Sequence, residues 1–140
     1  MKSQRCSTVL LLIVVFWATT VTGRNPFLPS QEKEDLARKG MDIYLAYDSN
    51  GRVLKISITS NQIDEETKVA LPMERQRVLS ILEELVPEEQ RGAKTRQHDG
   101  ISFGRAYGES IIYEKAQISL TIVCRENACG VTYAEMRVKE

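Results

Sequence analysis

Apolar and polar residues alternate most regularly in residues 53–59, which predicts a β-strand with one buried face. A run of mostly apolar residues at 43–47 precedes this strand. Asn50 and Gly51 lie between the two segments, and both residue types accept the positive φ angles of a tight turn. The pattern therefore predicts a β-hairpin near the start of the domain.

A second alternation covers residues 116–122 and returns through residues 131–138, which predicts another hairpin. In the returning segment the apolar positions change from odd to even numbers, so we expect a β-bulge near Tyr133. Cys124 and Cys129 lie between the two predicted strands, opposite each other across the loop. Their spacing differs from C-x-x-C and no histidine stands nearby, so we predict a structural disulfide rather than a redox or metal site.

A helical period separates the two hairpins. Five apolar residues fall three or four positions apart and form one stripe, namely Val78, Ile81, Leu82, Leu85 and Val86. Pro72 suits the start of such a helix, and Pro87 ends it. The predicted fold class is α+β, an antiparallel sheet of about four strands (two hairpins) with one main amphipathic helix packed on one face.

Residues 88–110 are rich in glycine and have no sustained period, so we predict a mobile or ligand-binding loop. The segment also contains a local group of basic residues and the only histidine of the chain. The possible ligand residues are Arg91, Lys94, Arg96, His98 and Arg105. A solvated basic loop explains this group as well as an anionic ligand does.

The first 23 residues have the three parts of a signal peptide, with basic residues first, an apolar stretch at 9–18, and small residues Val21 and Gly23 at the cleavage position. We predict a cut after Gly23, and an uncleaved anchor is the alternative. A mature chain that begins at Arg24 would exclude the anchor. Residues 24–40 are then a tether or a short helix, and residues 41–140 a single α+β domain.

The charge balance argues against nucleic acid as a partner. The whole chain has 19 basic and 19 acidic residues, and removal of the signal peptide takes away only Lys2 and Arg5, leaving a net charge of about −2. Binding to a phosphate backbone requires many basic groups on one surface. Membrane contact is expected only if the signal peptide is not cleaved.

Catalytic and metal chemistry find little support in the residue pattern. Ser102 matches G-x-S-x-G only literally, because no strand leads into a helix at residues 100–104. The acidic residues 64–66 and 88–89 are better explained as helix-start residues than as metal ligands. The glycine spacing fits no phosphate or dinucleotide loop. We therefore predict no catalytic residues, no metal and no cofactor.

Two segments of the chain resemble known families. Residues Glu84, Leu85, Val86 and Pro87, followed by Arg91 and Gly92 and then by Tyr113, Glu114 and Lys115, resemble an uncharacterised family of small exported bacterial proteins, over about residues 70–138. That resemblance implies an extracytoplasmic location and no assigned activity. The segment 47–53 with Ile63 and Asp64 is similar to the C-terminal domain of TonB-type transducers, although residues 24–40 are short for the Pro-rich spacer of those proteins.

The leading hypothesis is an exported domain, secreted or periplasmic and not an enzyme, that binds a protein or envelope ligand. The expected binding surface is the 91–110 loop or an exposed strand edge. An alternative is a membrane-anchored accessory or transducer domain with an uncleaved N-terminal helix. A third hypothesis is a hydrolase that uses His98.

Overall fold

The computed structural model describes residues 30–126 and 128–140. The predicted signal peptide and residues 24–29 of the predicted tether lie outside the described residues. Within the described part, every helix is too short or too polar to cross a membrane.

The described chain forms one six-stranded sheet with three short helices. In chain order the elements are α1 (Ser30–Arg38), β1 (Met41–Tyr47), β2 (Val53–Ser60), α2 (Arg75–Leu85), α3 (Glu88–Arg91), β3 (Lys94–Phe103), β4 (Ala106–Tyr113), β5 (Ala116–Arg125) and β6 (Ala128–Val138). The strand order is β1-β2-β6-β5-β4-β3, and all neighbouring strands are antiparallel. The edge strands are therefore β1 and β3.

The predicted fold of about four strands with one main amphipathic helix is wrong. The described part of the chain is mostly β, with a six-stranded antiparallel sheet, and its helices are small, the longest having 11 residues. The predicted loop at 88–110 instead forms α3, β3 and much of β4. The α2 helix does lie on one sheet face, with Val78, Leu79 and Leu82 buried.

The β3–β4 pair has no clear alternation because its buried positions are not all apolar. In β4 the side chains of Glu109, Ile111 and Tyr113 are buried, so a carboxylate occupies one of the three core positions. β3 contains two register shifts against β4, and such irregularities break the period of two. Pairing with β5 supplies hydrophobic contacts that the local sequence does not indicate.

The hydrophobic core lies between α2 and one face of the sheet. The largest fully buried side chains are Ile56, Ile58, Leu82, Ile111, Ile118, Ile122, Met136, Val78, Val86 and Val131. Leu36 of α1 joins this core, so the helix predicted as an alternative for residues 24–40 contributes to it.

Two predictions for the second hairpin are confirmed. Cys124 and Cys129 are opposite each other in β5 and β6 and form a disulfide with an S–S distance of 2.01 Å. The β5–β6 register shifts between Thr121 and Ile122, where Tyr133 and Val131 are the partners. The bulge therefore lies where the apolar positions change parity.

Candidate functional site: the open face of the sheet

The described helices pack on one face of the sheet, which we call the helix face. Mostly polar side chains occupy the other face, which we call the open face. Residues paired in register lie on the same face, so alternate positions of neighbouring strands form rows across the sheet. One row consists of Ala46, Lys55, Arg137, Gln117, Ile112 and Arg96. We call this row the basic row.

The adjacent row of the open face consists of Tyr44, Ser57, Glu135, Ser119, Ser110 and His98. Glu135 carries the only carboxylate of these two rows, and three groups surround it. Lys55 Nζ lies 2.8 Å from Glu135 Oε2, and the Tyr133 hydroxyl donates a 2.6 Å hydrogen bond to the same oxygen. Arg137 Nε donates to Oε1. These contacts place one carboxylate between two cationic side chains on the open face.

The same contacts keep Glu135 ionised. Partial burial alone would raise its pKa, but the hydrogen bonds from Lys55, Tyr133 and Arg137 outweigh that effect and lower the pKa from 4.5 to about 2. The Glu135 side chain is only 12% exposed, whereas the side chains of Lys55 and Arg137 are 41% and 71% exposed. The open face therefore retains this carboxylate and its cationic partners well into the acidic range.

The lowered pKa of Glu135 predicts a stability difference that depends on pH. Its ionised form is favoured by folding, so its stabilising effect is fully present above about pH 4.5 and is lost as the pH falls toward about 2. We expect urea unfolding to show a less stable Glu135→Gln variant at pH 6. The difference from the unsubstituted protein should shrink steadily between pH 4.5 and pH 2. A difference that stays constant over this range would contradict the assignment.

The structure separates the five residues predicted as a ligand loop. Arg96 and His98 lie on the open face. Lys94 is paired with Tyr113 and therefore lies on the helix face. Its Nζ lies 2.5 Å from Gln97 Oε1. Arg105 lies in the β3–β4 turn and is exposed. The five side chains therefore do not form one basic cluster, and the expectation of a continuous loop is wrong.

Arg91, the fifth of these residues, has contacts within the fold. Its Nη1 donates a 3.2 Å hydrogen bond to the Val86 carbonyl oxygen, and its guanidinium carbon lies 5.2 Å from the centre of the Tyr113 ring. This cation–π contact is made with a buried aromatic side chain. Arg91 is therefore placed to join α3 to β4 rather than to face solvent freely.

Sequence reasoning missed Tyr44, Lys55, Glu135 and Arg137 as site residues. Lys55, Glu135 and Arg137 occupy the polar half of the alternations in the two predicted hairpins, and polar positions of a strand are expected to face water. Tyr44 lies in the mostly apolar run at 43–47, where nothing distinguishes it from its neighbours. What brings them together is the pairing of β2 with β6, which joins distant segments. The alternation identified their common face but could not show that their strands are neighbours.

The helix face contains a second polar group, which fastens α2 to β4. Arg75 Nε donates a 2.8 Å hydrogen bond to Glu109 Oε2, Arg75 Nη2 donates to Oε1, and Gln97 Nε2 donates to Oε1 at 2.7 Å. Glu109 is only 5% exposed. This arrangement compensates a buried charge and places the N-terminal end of α2 over β4.

The C-terminal end of α2 is tied to the same strand. The Tyr113 hydroxyl donates a 2.5 Å hydrogen bond to Glu83 Oε1. Burial first, and then this hydrogen bond, raise the pKa of Tyr113 to about 12. The hydroxyl is therefore a neutral donor at physiological pH, and the group has a structural position between helix and sheet.

The candidate catalytic residues are placed as follows. His98 is opposite Ser110 across β3 and β4, and Ser102 is opposite Tyr107 within the same strand pair. The serine of the literal G-x-S-x-G match is therefore in a strand, and not at a turn from strand to helix. Among the described residues, no group of three or more histidine, cysteine, aspartate or glutamate side chains is arranged to hold a metal ion.

Comparison with protein-family models, with curated proteins and with solved structures finds no match to this chain. The two resemblances drawn from short motifs therefore stay predictions.

Proposed function

We propose that the protein is an exported, non-enzymatic binding domain that holds an acidic protein partner against the open face of its sheet. The observation that carries this proposal is the uneven covering of the sheet. The described helices cover one face, and the other carries polar and aromatic side chains on six strands. A broad sheet surface of this kind suits a protein partner better than a small ligand, which binds in a concave pocket.

The side chains of the open face favour an acidic partner. The basic row contains Lys55, Arg137 and Arg96, and no acidic residue. Glu135 in the neighbouring row offsets part of this charge, and the remaining charge is positive although the mature chain has a net charge of about −2. Tyrosine and arginine are among the residue types that most often dominate binding energy at protein interfaces. Tyr44 lies in the row beside the basic row, and Tyr133 lies one row further on the same face.

Export is supported by the disulfide and by the signal-peptide pattern. Disulfides persist in oxidising compartments and are rare where thiols are kept reduced. The Cys124–Cys129 disulfide is therefore compatible with an extracytoplasmic location. The pattern of the first 23 residues supplies the route to that location.

A charge-reversal experiment tests the binding surface. Arg96→Glu combined with Gln117→Glu places two carboxylates in the basic row, at two exposed positions, and removes its net positive charge. The protein comprising residues 24–140 is added to the native extracytoplasmic fraction, and a partner is captured by cross-linking. The partner is then purified, and its binding to each variant is measured by calorimetric titration. We expect this variant to bind the partner at least tenfold more weakly, because like charges across an interface repel. Binding of the partner by the unsubstituted protein should weaken with added salt.

The matched control changes the same residue types on α2. Gln76→Glu combined with Arg77→Glu alters the net charge equally on the covered side of the sheet. This control should bind as the unsubstituted protein does, with an unchanged melting temperature. Equal binding by the control and the open-face variant would contradict the proposal, as would equal loss in both.

A further inference from the structure

The two edge strands of the sheet differ in how they are protected. β3 has register shifts between Lys94 and Arg96 and between Asp99 and Ser102, and it carries charges of both signs. Bulges and charged side chains are the features by which edge strands avoid pairing with other chains. β1 pairs regularly with β2 from Met41 to Ala46 and has a single charged residue, Asp42. Of the two described edges, β1 is therefore the one open to another strand.

The hydrogen bonds of β1 show which backbone groups are available. Asn61 N donates a hydrogen bond of 3.0 Å to Gly40 O. This bond shows which residues of β1 direct their backbone groups toward β2. In an antiparallel pair, every second residue directs its N–H and C=O to the partner strand. Residues 42, 44 and 46 are thus directed to β2, so the N–H and C=O groups of Ile43 and Leu45 point away from the sheet.

The centre of β1 also has an exposed aromatic side chain. Tyr44 is 64% exposed, the largest value among the exposed large hydrophobic residues of the described chain. It lies at the midpoint of the seven-residue strand. Ile43 and Leu45 are only partly buried against the core. Within the described residues, the edge therefore combines outward-pointing backbone groups with apolar side chains on both faces.

We propose that β1 pairs with β1 of a second copy of this chain, in an antiparallel register centred on Tyr44. This register is the one that pairs all seven residues of the strand. It places Ile43 opposite Leu45 of the second copy, so the outward backbone groups bond to each other. It also places the two Tyr44 rings in a directly opposed pair, where side chains are closest.

The charges of β1 and its flanks are self-complementary in this register. Asp42 comes opposite Ala46, so no like charges face each other in the strand. Gly40 comes opposite Asp48 of the second copy, which brings the exposed Arg38 and Lys39 toward that carboxylate. The two six-stranded sheets then form one continuous sheet. This pairing does not depend on the acidic partner proposed for the open face.

A charge at the centre of the pair tests the proposal. In Tyr44→Lys two ammonium groups would face each other, while the monomer changes only an exposed side chain. We expect sedimentation equilibrium of residues 24–140 to show a dimer that becomes a monomer in Tyr44→Lys, with an unchanged far-UV circular dichroism spectrum. His98→Lys adds the same charge to the β3 edge and should stay dimeric. A protein that is monomeric at about 0.1 mM, or a Tyr44→Lys variant that is still dimeric, overturns the proposal.

A cysteine substitution tests the register. Directly opposed, non-hydrogen-bonded residues have Cα atoms about 4.5 Å apart, which suits a disulfide. Tyr44→Cys should therefore give a covalent dimer on oxidation. Ala46→Cys, on the same face, should not, because residue 46 and its copy would lie about 14 Å apart. A covalent dimer formed by Ala46→Cys but not by Tyr44→Cys would refute this pairing. It would also be refuted if β1 paired only with a strand of another protein and not with a second copy of this chain.

Discussion

Replacing Arg75 by methionine is expected to lower the free energy of unfolding by about 3 to 5 kcal/mol. The substitution keeps the length of the side chain but leaves the buried Glu109 carboxylate without its bidentate partner, so that only Gln97 still donates to it. A buried charge that loses its counter-charge carries its desolvation cost without compensation. Urea unfolding at pH 7, followed by circular dichroism, measures the change.

Two further variants separate the ion pair from general effects on the helix. Arg77→Met, on the same helix, should change the free energy of unfolding by less than about 1 kcal/mol. The double substitution Arg75→Met with Glu109→Met should be more stable than Arg75→Met alone, because it removes the unpaired charge. A double variant less stable than Arg75→Met would show that the carboxylate is not what the arginine compensates.

Leu82→Ala is expected to destabilise the protein by about 2 to 5 kcal/mol. Leu82 is fully buried at the contact between α2 and the sheet. Its truncation removes apolar contacts and leaves a cavity that the sheet cannot fill by moving. Thermal and urea unfolding should both show the loss.

The matched control for Leu82→Ala is Ser80→Ala, on the exposed side of the same helix. Ser80 Oγ donates only to the Gln76 carbonyl oxygen one turn earlier, and alanine favours the helix. This variant should be as stable as the unsubstituted protein or slightly more stable. Equal destabilisation by both substitutions would mean that α2 does not pack on the sheet through Leu82.

The elements predicted correctly from the sequence are those whose pattern is local. The alternation at 53–59 lies in β2, the alternation at 116–122 in β5, and the apolar stripe that includes Val78 and Leu82 in α2. β3 and β4 were missed because the sequence between Lys94 and Tyr113 has charged residues at positions that the fold pairs or buries. Glu109 is acceptable in the core only because Arg75, far away in the chain, compensates it.

The candidate site was less predictable than the fold. Two of the five residues proposed from the basic segment, Arg96 and His98, lie on the open face. The other members of that face come from β1, β2, β4, β5 and β6, and the order of strands along the chain does not state their order in the sheet. The contact of Lys55 with Glu135 depends on that order. A polar residue on a strand shows its importance only when its neighbour across the sheet is known.

The position of β6 has a consequence for how the molecule is made. This last strand of the chain lies in the interior of the sheet and joins the β1–β2 hairpin to the β3–β4–β5 meander. Until β6 has been synthesised, no strand pairing connects the β1–β2 hairpin to the β3–β4–β5 meander. Pairing of β6 with β2 must also close a long loop, which slows folding. The complete six-stranded sheet can therefore form only after residues 128–138 have been made.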